Sequence, residues 1–235
     1  MAETAPDPRV ARGMRRQFEA RQRRLSAGDK ALGWKVGFGA PAALARLKIE
    51  KPLVGFLLQS GRLDPGATVA LAGWTKPAAE PEIAVHLGRD LGGEISADEA
   101  RAAIAGLGPA IELVDVDTPP DDVETILAAN IFQRHVVLGP SSAAHAGGDP
   151  SALVGRVFRR GIAAQSTSEL EANTGRIVDI VREVARVVGM FGERLRAGEV
   201  IIAGSVVAPI YVEPDDDHVG FALDPVGRID VALVQ

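Results

Sequence analysis

Along residues 80–87 the chain alternates, with Glu80, Glu82, Ala84 and His86 in one set and Ile83, Val85 and Leu87 in the other. Residues two apart on a strand point to the same face, so this spacing predicts a strand with a core face of Ile83, Val85 and Leu87 and an opposite face carrying both carboxylates. Residues 33–38 alternate in the same way, with Trp34, Val36 and Phe38 on one side and Lys35 between glycines on the other. Apolar runs at 53–58, 109–116 and 200–205 predict buried strands, and shorter ones fall at 68–71, 134–138 and 153–160. A period near 3.6 replaces alternation from Ile177 onward, where Ile180, Val181, Val184, Val187, Val188 and Phe191 predict an amphipathic helix packed on a core. Residues 8–26 are helix-prone, with Val10, Met14, Phe18 and Leu25 on a looser spacing. Ser96 and Glu99 form a capping box for a helix to about residue 105, and Asp121 and Asp122 open a short helical piece ending near Asn130. After residue 209 the pattern is of short strands broken by turns at 214–217 and 224–227, the acidic first turn being read as solvated.

Composition narrows the classes of function. A chain of 235 residues, 46% hydrophobic and 24% charged, can bury a full core. We divide it into a helical segment at 1–32 and a single catalytic domain at 33–235. Its 26 Lys and Arg against 31 Asp and Glu give a net charge of -5, which argues against general affinity for nucleic acid or anionic membranes. The arginines of the first helix are therefore read as a solvated face. With no cysteine there is no disulfide framework, thiolate metal site or thiol nucleophile. No apolar run is long enough to span a bilayer and residues 1–8 have no signal-peptide core, so a cytoplasmic enzyme is expected.

The chemistry concentrates on the carboxylates. Two such charges 4 Å apart repel by roughly 1 kcal/mol in water and about 4 kcal/mol at an effective dielectric near 20, so Glu80 and Glu82 call for a positive partner between them. Glu112 interrupts an apolar run and must be paired, protonated or bound to a cation. Without cysteine, three carboxylates suit a hard divalent ion, Mg²⁺ or Mn²⁺. The competing reading pairs Glu80 and Glu82 with Arg89 and Lys76 at the surface and Glu112 with an arginine. Lys35 has room for its amine between Gly33 and Gly37, and partial burial would lower its pKa toward a range useful for proton exchange. Gly204 and Ser205 end a strand with a backbone amide and a hydroxyl that suit a carboxylate. His86 lies on the carboxylate face as a core or rim residue, and no histidine stands in a metal-ligand spacing.

Three segments, Gly33-Trp-Lys-Val-Gly37, residues 80–91 with Glu-x-Glu followed by Gly-Arg-Asp-Leu, and Glu199-Val-Ile-Ile-Ala-Gly-Ser205, fall in an order that resembles the hydratase and decarboxylase branch of the fumarylacetoacetate hydrolase superfamily. That resemblance implies an α+β fold, a rolled, mostly β mixed-sheet domain with flanking helices. It implies homo-oligomers, also found in complexes with a related enzyme, that act on small 2-oxo or 2-hydroxydienoic acids. Glu80, Glu82 and Glu112 then become metal ligands, Lys35 the active-site lysine, and Asn130, Gly204 and Ser205 contacts to substrate. The chain departs from the branch at Phe132 and Gln133, where small residues are usual, and at Val207, where a threonine is common.

The reaction implied is addition of water to a 2-hydroxydienoic acid, as in the degradation of aromatic compounds. Decarboxylation of a 4-oxalocrotonate-type acid passes through the same enolate. Hydrolytic C–C cleavage, which needs a histidine and glutamate on a lid, ranks lower, as does a non-catalytic assembly partner. Phe132, Gln133 and Val207 imply a tight, weakly polar far end of the pocket, and so a monoacid, unless Arg134 or Arg89 reaches a distal carboxylate.

Overall fold

A computed structural model describes residues 7–235. The leader expectation for residues 1–8 falls mostly outside that range. The chain runs α1 (Pro8–Ser26), β1 (Ala31–Gly37), α2 (Pro41–Leu47), β2 (Leu53–Leu58), β3 (Arg62–Leu63), β4 (Thr68–Ala70), β5 (Pro77–Leu87), α3 (Ala97–Ala103) and β6 (Ile104–Asp115). It continues as α4 (Val123–Ala128), β7 (Gln133–Leu138), β8 (Val154–Arg159), β9 (Ile162–Thr167), α5 (Ile177–Gly189), β10 (Val200–Ser205), β11 (Ile210–Tyr211), β12 (His218–Asp224) and β13 (Gly227–Val234). Among the described residues no helix is long and apolar enough to cross a membrane.

The larger sheet has the order β2-β1-β10-β5-β6-β7-β3, with β11 added to β5, and mixes parallel and antiparallel pairs. The smaller sheet has the order β4-β13-β12-β8-β9. Strand alternation puts Trp34, Val36, Ile83, Val85, Ile111 and Leu113 into the main core, shared with both sheets and the helices. Ala84, Ala110, Val136, Val200 and Ile202 form a second apolar cluster on the opposite face, the one that also carries Glu82 and Glu112. Burial on both faces explains why these strands read as apolar runs.

The larger sheet is rolled, and one side chain shows it. Asn130, just ahead of β7, accepts from the Phe56 N–H and donates to the Phe56 carbonyl, both at 2.9 Å, although Phe56 lies in β2 at the far end of the strand order. The amide thus pairs with β2 as a neighbouring strand would. The turn that carries it, Asn130–Phe132, has positive φ at all three residues, 51°, 54° and 62°. For the β-branched Ile131 that conformation costs on the order of 1–3 kcal/mol, which the Asn130 clamp and the burial of Ile131 and Phe132 offset.

Helix α1 docks through Met14 and Phe18, the latter stacked on Trp34 at 5.7 Å and Phe191 at 4.5 Å between ring centroids. Most of its arginines are exposed, but Arg21 is buried over the Trp34 ring at 4.7 Å and pairs with Glu193. The acidic turn is also less solvated than its composition implies. Asp216 is buried and bound by Arg159 and Arg160, and although burial opposes it, these bonds hold its carboxyl down to about 2.

Gly33 permits the parallel contact of β1 with β10. Its φ is +153°, and a Cβ there would lie 1.9 Å from the Val200 carbonyl oxygen. Gly33→Ala is expected to cost about 3 kcal/mol through forced separation of these strands, lowering Tm by roughly 6–12 °C. Thermal unfolding monitored by circular dichroism checks this.

Candidate metal centre and cavity

The two carboxylate strands are neighbours, and their register sets Glu80 directly opposite Glu112 and Glu82 opposite Ala110. A carboxylate oxygen from each of Glu80, Glu82 and Glu112 can be chosen so that all three lie within 4.8 Å of one another. The ammonium of Lys35 joins them, donating to Glu112 Oε2 at 2.5 Å and to the Ile131 carbonyl at 3.4 Å. Lys35 is 1% exposed, and Glu82 and Glu112 are fully buried.

Glycines make the room, though not the two that flank the lysine in sequence. Gly55 of β2 stands opposite Lys35, and a Cβ there would lie 2.9 Å from the lysine Cγ. A bulge in β10 between Ile202 and Ser205 gives Gly204 a φ of +87° and turns its N–H onto Glu82 Oε2 at 2.7 Å. A bulge re-aims backbone groups in this way.

Burial of so much charge moves the titrations. It pushes the Glu112 carboxyl up to about 7 even though Lys35 pulls it down. Burial, then the neighbouring Glu112 and Glu80, hold Glu82 well above the carboxylate range, and burial raises Glu80 against the pull of Lys35. The expectation of a lowered lysine is reversed: burial does disfavour its charge, but the three carboxylates together outweigh burial and hold it above its ordinary value.

A cation fits this arrangement. Glu82 and Glu112 each have one oxygen engaged, by Gly204 and Lys35, and each leaves Oε1 buried without a hydrogen-bond partner. Buried acceptors of this kind are normally satisfied, so the two orphans call for an ion or proton. Three carboxylates and one ammonium leave two negative charges, which one hard divalent cation neutralises.

Glu80 and Lys35 open onto a cavity of about 490 Å³. Its wall includes Ser205, Asn173, Thr174 and Tyr211 among largely apolar neighbours, with Phe132 and Val207 from the departures noted above. Gln133 is not in the wall, and Asn130 holds the frame behind it through Phe56. Neither arginine expected near a distal group is there. Arg134 pairs with Asp115 and Asp117, and Arg89 sits on the exposed turn after β5. Arg46, on α2, lines the cavity instead. His86 lies at the other end of β5, half-buried and away from the cavity.

Residues 35–231 match the model of the fumarylacetoacetate (FAA) hydrolase C-terminal domain, from the lysine of the site to the last strand. This chain belongs to the fumarylacetoacetate hydrolase family. It is 31% identical over 220 residues to 2-keto-4-pentenoate hydratase of Paraburkholderia xenovorans (strain LB400), covering 92% of this chain and 81% of the relative. Against 2-hydroxyhexa-2,4-dienoate hydratase of Comamonas testosteroni it is 28% identical over 217 residues, 90% of this chain and 81% of that one. Its fold is that of 4-oxalocrotonate decarboxylase from Pseudomonas putida G7, solved with magnesium and adipate, at a TM-score of 0.86 and 24% identity over 96% of this chain and 86% of that chain. The rolled α+β fold expected from the sequence is thus the one observed.

Two tests of the carboxylate cluster follow from its geometry. Glu82→Gln keeps the shape and the Gly204 contact but removes a charge, and should weaken Mg²⁺ or Mn²⁺ binding by roughly tenfold or more in calorimetry. An unchanged affinity would remove Glu82 from the ligand set. Because the folded-state carboxyl of Glu112 is raised to about 7 and that of Glu82 is also raised, protons compete with the cation below that value and progressively less above it. Mg²⁺ affinity should therefore rise between about pH 6 and 8, with proton release detectable by titration in buffers of different ionisation enthalpy.

Proposed function

We propose that this protein is a divalent-metal-dependent hydro-lyase that adds water to a small 2-hydroxydienoic (2-keto-4-enoic) acid, as in aromatic-compound degradation. The observation that carries the reading is the pair of buried, unpartnered carboxylate oxygens beside a buried lysine at the wall of a cavity. Its relatives named as hydratases support the same reaction class. We take it to work in the cytoplasm as a homo-oligomer.

Glu80, Glu82 and Glu112 would hold the cation, which supplies Lewis acidity toward the carboxylate and 2-oxo oxygen of the substrate. Ser205, half-buried in the wall with its hydroxyl 3.4 Å from the Pro81 carbonyl, would turn that hydroxyl to a substrate oxygen. Lys35 has three donors, of which Glu112 and the Ile131 carbonyl take two. The third is free to give a proton to the dienol or to orient the attacking water. Phe132, Val207 and the other apolar wall residues would limit the access of bulk water to a bound substrate. Among the described residues no histidine lines the cavity, so the histidine-based water activation of a C–C hydrolase has no candidate there.

Lys35→Met tests the role of the ammonium. In the metal-free protein it would strand Glu112 beside two other carboxylates, so the comparison belongs at saturating Mg²⁺. There, kcat should fall by about 10²–10⁴-fold while Tm stays close to the parent, and Mg²⁺ affinity, gained from a metal-free state that has lost its ammonium, should not fall. Dienol absorbance and CO₂ release, followed together on a panel of 2-hydroxydienoic acids, separate hydration from decarboxylation. An unchanged kcat would make the lysine a bystander.

A further inference from the structure

Arg46 is a cation in a place where the surrounding charge does not explain it. Of the described residues lining the cavity only Lys35, Arg46 and Glu80 are charged, and Lys35 is already engaged with Glu112. Arg46 is exposed on the last turn of α2, and the hydrogen bond it makes is to a neutral acceptor, the Pro120 carbonyl, at 3.3 Å. The other arginines near this region have carboxylates: Arg9 pairs with Asp7, Arg12 and Arg16 with Glu124, and Arg134 with Asp115 and Asp117. Among the described residues Arg46 has no carboxylate within salt-bridge distance, and Ala42, Ala43, Val116 and Pro120 share the cavity wall with it.

We propose that Arg46 is a specificity-determining residue that binds a second carboxylate at the far end of the substrate, so that the site prefers 2-oxo diacids to monoacids. This rests on the reading of the cluster as a 2-oxo acid site. The volume, about 490 Å³, is in the range that holds drug-sized ligands and exceeds what a five-carbon acid fills. A guanidinium fork matches a carboxylate in two parallel hydrogen bonds. The chain as a whole is at -5 and Glu80 brings a carboxylate to the cavity wall, so a dianion gains from a local positive group there. Lys35 is engaged by Glu112, which leaves Arg46, exposed on the wall, as the cationic partner open to a distal carboxylate. The monoacid expected from the departures at Phe132, Gln133 and Val207 assumed that no such partner was available.

The test is binding, independent of turnover. Full-length protein saturated with Mg²⁺ is titrated calorimetrically with 2-oxoglutarate, 2-oxoadipate and 2-oxopimelate, and with the monoacids of equal chain length. An exposed arginine–carboxylate pair is worth up to about fivefold, and a bidentate one more. At least one diacid should therefore bind fivefold or more tightly than its monoacid twin, and in Arg46→Met that ratio should fall toward one. Arg46→Lys, which keeps the charge and loses the fork, should retain part of it. A ratio below fivefold at every chain length, or one that persists unchanged in Arg46→Met, would overturn the proposal while leaving the 2-oxo acid site standing. If none of the six acids binds although Mg²⁺ does, the 2-oxo acid reading itself fails, and this proposal with it.

Discussion

Three buried ionisable groups, Lys35, Glu82 and Glu112, and the half-buried Glu80 side by side in one sheet face constrain everything around them. Taking a carboxylate or ammonium out of water costs several kcal/mol even after relaxation, and here three of one sign surround one of the other. The sheet meets that cost with backbone devices. The bulge at Gly204 delivers an N–H to Glu82, Gly55 clears a path for the lysine stem, and the left-handed turn at residues 130–132 aims the Ile131 carbonyl at the ammonium. Each device spends conformational strain or core packing on a polar contact. A protein selected for stability alone would do better with apolar residues of similar volume at these positions, so the cluster is best understood as retained for binding.

The lysine and the carboxylates set each other's protonation. With only carboxylates about it, the ammonium is held above its ordinary value and Glu112 is raised toward neutrality. A divalent cation would offset two of the three carboxylate charges and leave one facing the ammonium, so the loaded cluster would be neutral with Lys35 charged. The lowered lysine pKa expected from the sequence is thus not the one found, because the carboxylates beside Lys35 outweigh its burial. Proton exchange at Lys35 is in this way coupled to the charge on the glutamates.

What could be read from the sequence divides along the same physical line. Glu80, Glu82 and Glu112 were legible because a carboxylate inside an alternating or apolar strand breaks a strong local pattern, and strand pairing then brought β5 and β6 together. The helices at 8–26 and 177–189 and the capping box at Ser96 likewise depend on neighbours within a few turns. Contacts set by the roll of the sheet were not legible. Asn130 was expected to touch substrate, but it is spent on Phe56, 74 residues away in sequence. Gln133, one residue beyond Phe132, points elsewhere, because three residues of positive φ reset the direction of the chain. Asp216 in an acidic run is buried because Arg159 and Arg160 arrive from the next hairpin.

Arg46 belongs to that second class, and the reason bears on how specificity is built in this fold. The reacting end of the cavity is made by strand residues whose positions are fixed on both sides by hydrogen-bonded neighbours, so a substitution there disturbs the sheet. The far end is made by α2, a seven-residue helix, and by the loop around Pro120. Neither is held in a ladder, so both can change side chains without disturbing the carboxylate register. A scaffold divided this way can keep one chemistry while its mouth is altered to accept different tails. Phe132 belongs to neither group, since it lines the cavity yet is pinned by a strained turn, so a substitution there would disturb the turn that aims the Ile131 carbonyl at Lys35.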